Sequence, residues 1–112
     1  MIINLAELRH RVTIQRPTKI TDSEGNVVEE FRSDLKTVWA KVLPAGAKIS
    51  DGYMETVHEV TYKIAMRYGV DVRDTDFLLW EGKTLKQIAS PYLADGKKKY
   101  LILEAQELVE DG

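Results

Sequence analysis

Asp71, Asp74 and Asp76 crowd one short segment, and His58 lies upstream of them. Carboxylates and an imidazole at close spacing can share a divalent cation or activate a water molecule. The segment VDVRDTDF lacks the glycine hinge of a calcium loop, and aspartates between strands are ordinary turn residues. Turn chemistry is therefore the favoured reading. His58 opens an apolar strand face and reads as a barrel-end residue, and His10, between Arg9 and Arg11, is expected at the surface. The chain has no serine elbow, no phosphate-binding glycine loop and no HExxH. Catalysis is not expected, and no metal or cofactor is implied.

A second chemistry is electrostatic. Lys97-Lys98-Lys99, backed by Lys83 and Lys86 and followed by Tyr100, could present cations and an aromatic face to single-stranded nucleic acid. The competing reading is a solvated hairpin mouth whose lysines discourage edge pairing. With 16 Lys+Arg against 18 Asp+Glu, the net charge of −2 supplies no general attraction to nucleic acid or anionic lipid. The solvated mouth is favoured, and a small-barrel nucleic-acid-binding module is the alternative function.

The third signal is association. The stretch AGAKISDGYMET, Ala45 to Thr56, places Ile49, Tyr53 and Met54 where a plain turn would be polar. As a loop from Pro44 to Thr56 it exceeds the usual connection of about 4–6 residues, and Ile49, Tyr53, Met54 and Val57 fall at helical spacing. Ser50 could cap two helical turns, with Asp51 in the first turn and Ile49 stapled to Met54. So short a helix is marginal alone in water. The segment is expected to order against a neighbour, with Gly46 and Gly52 supplying backbone freedom. The plainer alternative is a loop packed on its own barrel.

These residues need a scaffold, and 112 residues make one domain, 1–112, with a single core. There is no cysteine, so disulfides and thiolate zinc sites are excluded. No apolar run approaches the ~18 residues of a helical membrane span, and a soluble protein with no membrane role is expected. Near the start, Asn4 is expected to cap a short helix, Glu7 to reach back to it, and Ile3 to staple onto Leu8.

Period-two patterning then takes over. Val12 to Gln15 begins a strand, Asp22 to Asn26 is turn chemistry, and Val27 to Phe31 returns. Thr37 to Leu43 is apolar on both faces and reads as a central strand. From Val57 to Tyr68, His58, Val60, Tyr62, Ile64, Met66 and Tyr68 share one face, while Glu59, Thr61, Lys63 and Arg67 share the other. Twelve extended residues span about 40 Å, more than the ~34 Å diameter of a compact domain of this length, so the strand must bend. Phe77 to Trp80, a turn at Glu81-Gly82, and Thr84 to Ala89 form another hairpin. Ser90 to Gly96 is a loop, and Tyr100 to Gln106 closes the series. The pattern predicts an all-β domain, an antiparallel barrel or sandwich of six or seven strands with one small N-terminal helix.

LRHRVTIQRP, DSEGNVVEEF, TVWAKVLPAG, YKIAMRYGVDV and YLILEAQEL together resemble the bacteriophage head-tail joining proteins, also called head closure or stopper proteins, of tailed phages and prophages. The similarity runs from about Leu8 to Leu108. Its best marks are Leu8-x-x-Arg11-x-Thr13-Ile14-Gln15, Trp39-Ala40-x-Val42, and Met66-Arg67-Tyr68 followed by Asp71. The resemblance implies a small β-barrel that joins a dodecameric ring of its own copies beneath a portal-bound adaptor. It implies contact with a tail completion or tail tube protein, with packaged DNA met only in the channel. Assembly in the host bacterial cytoplasm and residence in the virion follow from it. It also implies that Trp39, Ala40, Arg67 and Tyr68 are fold determinants, and that the loop carrying Gly46, Ile49, Gly52, Tyr53 and Met54 serves ring assembly and channel closing. The sequence departs from many relatives at Ala47-Lys48, where they carry an acidic residue, and in the strand after Gly82.

Overall fold

The computed structural model describes residues 4–52 and 55–108, with side chains described outside 46–59. Seven strands follow one another: β1 (His10–Thr21), β2 (Val27–Gly52), β3 (Glu55–Arg67), β4 (Phe77–Trp80), β5 (Lys83–Gln87), β6 (Tyr92–Leu93) and β7 (Tyr100–Glu107). They form one sheet in the order β3-β2-β1-β4-β5-β7-β6, and a β3–β7 pairing closes it into a barrel. Every pairing is antiparallel. Because β3 occupies one edge of β7 from Tyr100 to Gln106, β5 and β6 must share the other. β5 pairs at Ala105–Glu107 and β6 at Leu101–Ile102, so together they act as one interrupted strand of the wall.

Alternation explains the core. Val12 and Ile14 from β1, Ala40 and Val42 from β2, and Tyr62, Ile64 and Met66 from β3 point inward. They meet Leu78, Trp80, Leu85, Leu103 and Ala105 from the remaining strands. Lys63 and Arg67 stay out of it, as the period predicts. The β4–β5 turn takes positive φ at both Glu81 and Gly82, the left-handed backbone that matches a two-residue hairpin to the twist of its strands. Outside the core, the Thr13 and Thr37 hydroxyls meet at 2.8 Å, and Gln15 Nε2 donates to Asp34 Oδ1 at 2.8 Å.

The front helix is a single 3-10 turn, Leu5–Glu7, with Asn4 Oδ1 accepting from the Ala6 N–H at 3.2 Å. Glu7 does not reach back to the cap; its carboxylate pairs with Lys41 and ties the turn to β2. Ile3 lies outside the described residues.

The long loop expected from Pro44 to Thr56 is replaced by two paired strands. β2 continues to Gly52 and β3 starts at Glu55, with ladder pairs from Gly46↔Thr61 to Gly52↔Glu55. Tyr53 and Met54, and with them the expected Ile49–Met54 staple, fall outside the described residues. A helix here would be two turns long with weak formers at both glycines, whereas a ladder satisfies backbone groups on both strands at once. Likewise Val27–Phe31 and Thr37–Leu43, read separately in the sequence, are parts of one 26-residue strand. Straight, it would span about 86 Å, yet the molecule's longest dimension is 48 Å. The ladder slips at Val28, Leu35 and Ala45, each left without an opposite residue, and such bulges bend a strand. The radius of gyration, 16.0 Å, exceeds the ~13 Å of a compact domain of this length, because paired strands run beyond the barrel.

Candidate functional site

No group of three or more potential metal ligands exists among the described residues. The aspartates expected in turns divide in role. Asp71 is exposed and 3.6 Å from Arg16, while Asp76 is buried and holds the β3–β4 connection to the barrel. Arg16 Nε and Nη2 donate to its two oxygens at 3.0 and 2.9 Å, and the Arg73 N–H donates at 2.8 Å. Gln87 Nε2 donates to the Arg73 and Asp76 carbonyls at 2.6 and 2.9 Å. Burial pushes the Asp76 carboxyl up, but the Arg16 guanidinium and the Arg73 N–H outweigh it and hold its pKa below the usual carboxylate value. This is a structural clasp, in which both Asp76 carboxylate oxygens are engaged.

The basic candidate does not assemble a nucleic-acid platform. Lys97, Lys98 and Lys99 are exposed, but Tyr100 is buried with Lys99 over its ring. Trp80, beneath Lys83, is buried too. Stacking bases need an accessible ring face, and these rings belong to the core. His10 is not the surface residue expected: it packs edge-on to Trp80, whose indole N–H donates to His10 Nδ1 at 3.3 Å.

What the surface does display is apolar. Of the expected fold determinants only Ala40 is in the core; Trp39 is 53% exposed, Tyr68 is half exposed and Arg67 is exposed. The Trp39 ring stands on the outer face of β2, with the Arg11 guanidinium 4.6 Å from its centre. It borders an open groove where the 3-10 turn meets β2 and the start of the β3–β4 connection, lined by Leu5, Leu8, Val38, Val70 and the cations Arg9, Lys36 and Arg67. No carboxylate lines this groove.

Two ribbons extend from the barrel. β1 pairs with β4 only through Gln15, so beyond it β1 and the first part of β2 have only each other. Ile14, Arg16, Thr18 and Ile20 continue the inward face of β1, and past Arg16 no further strand among the described residues pairs beside it. Ile20 is 44% and Phe31 42% exposed. The turn at its tip is set by Asp22 Oδ1, which accepts from the Glu24 and Asn26 N–H groups at 2.9 Å each; the Asn26 bond leads in lowering the Asp22 pKa, so the tip stays anionic. The second ribbon is the extension of β2 and β3 carrying Gly46, Ile49 and Gly52. Period-two spacing in DSEGNVVEEF showed the first hairpin, but no local signal marked where a third strand stops covering it.

The profile of phage head completion proteins matches residues 3–108. Among solved structures, the chain is similar to protein SF1141 from Shigella flexneri 2a, with 25% identity, 97% of this chain and 100% of that chain covered, and a TM-score of 0.71. It is similar to a chain in the virion of a native gene transfer agent particle, with 18% identity, coverage of 91% and 96%, and a TM-score of 0.71. It is also similar to xkdH of the phage-like element PBSX from Bacillus subtilis, with 14% identity, coverage of 88% and 92%, and a TM-score of 0.55. The last two likenesses carry the fold alone. No curated protein matches the sequence.

Proposed function

The chain belongs to the phage head completion protein family, and from that premise we propose that it joins the DNA-filled head to the tail by assembling into a ring with its own copies. Its place is a structural one in the phage head, and it works by association. In this reading the ring, dodecameric as in the proteins it resembles, sits beneath a portal-bound adaptor and offers its other face to a tail protein. The β2–β3 ribbon then helps close the channel.

The observation that carries the proposal is the pair of ribbons. A lone barrel gains nothing from strands that run past its core, since each exposes backbone edges that invite pairing and, on the β1–β2 ribbon, apolar side chains without cover. Both features become useful when neighbours cover them. Gly46, Ile49, Gly52, Tyr53 and Met54 are the proposed ring-facing and channel-facing positions, of which Gly46, Ile49 and Gly52 lie on paired strand in place of a loop.

Particles made without this protein test the reading. Heads should fill with DNA and then lose it, and micrographs should show heads and tails apart. Joined, infectious particles from such a deletion would overturn the joining role.

A further inference from the structure

We propose that the β1–β2 ribbon of one copy seats in the Trp39 groove of the next, a head-to-tail contact between copies of this chain. The inference rests on the ring reading above and adds the two surfaces that would build it.

The surfaces complement each other in kind. The groove offers Leu5, Val38, Trp39 and Val70 framed by Arg9, Lys36 and Arg67, and these cations meet no carboxylate within ion-pair distance among the described residues. On the ribbon, Ile20 pairs directly with Glu29 and Thr18 with Phe31, so Ile20, Glu29 and Phe31 share one face. That face is apolar with an anionic member. Glu30 is bridged to Lys19 at 3.5 Å, whereas Glu29 has no ion-pair partner among the described residues. Apolar anchors that leave water, ringed by opposite charges, are what a specific protein contact needs.

The ribbon cannot fill its own molecule's groove. Glu29 and Trp39 lie on the same strand, with the β1 ladder running unbroken alongside from His10 to Thr21 apart from its bulges, so folding one onto the other would tear that ladder. The partner must be another copy. Because ribbon and groove are different surfaces, the contact is heterologous, and repetition gives a closed ring or an open filament according to the rotation it imposes.

Cross-linking tests this directly, since the chain contains no cysteine. Phe31→Cys and Leu5→Cys proteins, prepared separately and mixed under oxidising conditions, should form a mixed disulfide well above the self-linked product of either alone. Adding Glu29→Lys or Arg67→Glu should cut that yield severalfold, and the two together should restore it. Trp39→Ala should weaken self-association roughly tenfold or more, as loss of a central aromatic anchor does. Linking no better than at a control Lys98→Cys, or linking of Phe31→Cys to a different virion protein within particles, would overturn the contact. Joined particles without the cross-link would reject this contact and spare the head-to-tail role; the cross-link in a protein whose deletion leaves particles joined would support the contact and reject the role.

Discussion

Residues 34–44 of β2 and residues 27–33 of the same strand contain similar strand-forming side chains, yet one stretch is barrel wall and the other is a projecting ribbon. The first adjoins Val12, Ile14 and the core strands; the second has β1 on one edge and no strand on the other. The two tryptophans differ in the direction they face, inward for Trp80 and outward for Trp39. Trp80 is 9% exposed and held by Tyr62 and His10, whereas Trp39 stands at the surface beneath Arg11. Residue type therefore does not decide role in this molecule; side-chain direction does, together with a third strand. Its presence converts a strand into core, and its absence leaves a surface looking for cover.

The largest test of that division is Leu78→Ala. Leu78 has no exposed surface, so the lost contacts and the cavity should cost about 2–5 kcal/mol, read from urea denaturation. Phe31→Ala in the isolated protein should change stability by less than about 0.5 kcal/mol. Equal losses would erase the distinction between wall and ribbon.

A smaller loss is expected from Asp76→Asn, which keeps the shape of the clasp and removes its charge. The folded-state pKa of Asp76 lies below the unfolded value. Its contribution to stability is therefore complete above the ordinary carboxylate pKa, about 3.9, and is lost as pH falls through the lower folded value. Denaturation midpoints measured at neutral and strongly acidic pH should fall more in the unaltered protein than in Asp76→Asn. Parallel declines would mean the ion pair with Arg16 does not hold the β3–β4 connection.

Trp39→Ala should cost less than either Leu78→Ala or Asp76→Asn. An exposed cation–π contact is worth about 0.5–1 kcal/mol, and thermal or urea unfolding of the isolated protein should register no more than that. A loss as large as that of Leu78→Ala would move Trp39 from the partner surface into the core.

The barrel was legible wherever one face is buried and the other is not. Tyr62, Ile64 and Met66 could be assigned inward from alternation alone, and Glu81-Gly82 named its turn. The ribbon's β2 side over 46–52 and the first residues of β3 were not, because Pro44, Gly46 and Gly52 are residues that usually interrupt strands, and a few apolar positions fit a helix or a strand. What holds that segment extended is its partner strand, which a local window does not contain. The Arg16–Asp76 clasp was hidden for a related reason. Its two halves stand 60 positions apart, and nothing near either residue reports the other. Trp39 was misleading in the opposite way: an aromatic on a central strand suggests core, but period two places it outward once Ala40 and Val42 are inward.

The β1–β2 hairpin also behaves as a ruler. Its strands stay paired, with slips only at Leu35 and Val28, up to a turn that Asp22 organises, and they enter the barrel through a ladder that the tip does not touch. Adding or removing two residues on each strand would change its reach by about 7 Å while returning every side chain to its own face. Relatives could thus alter the spacing between neighbouring molecules by editing the tip in even steps, leaving the wall of the barrel as it is.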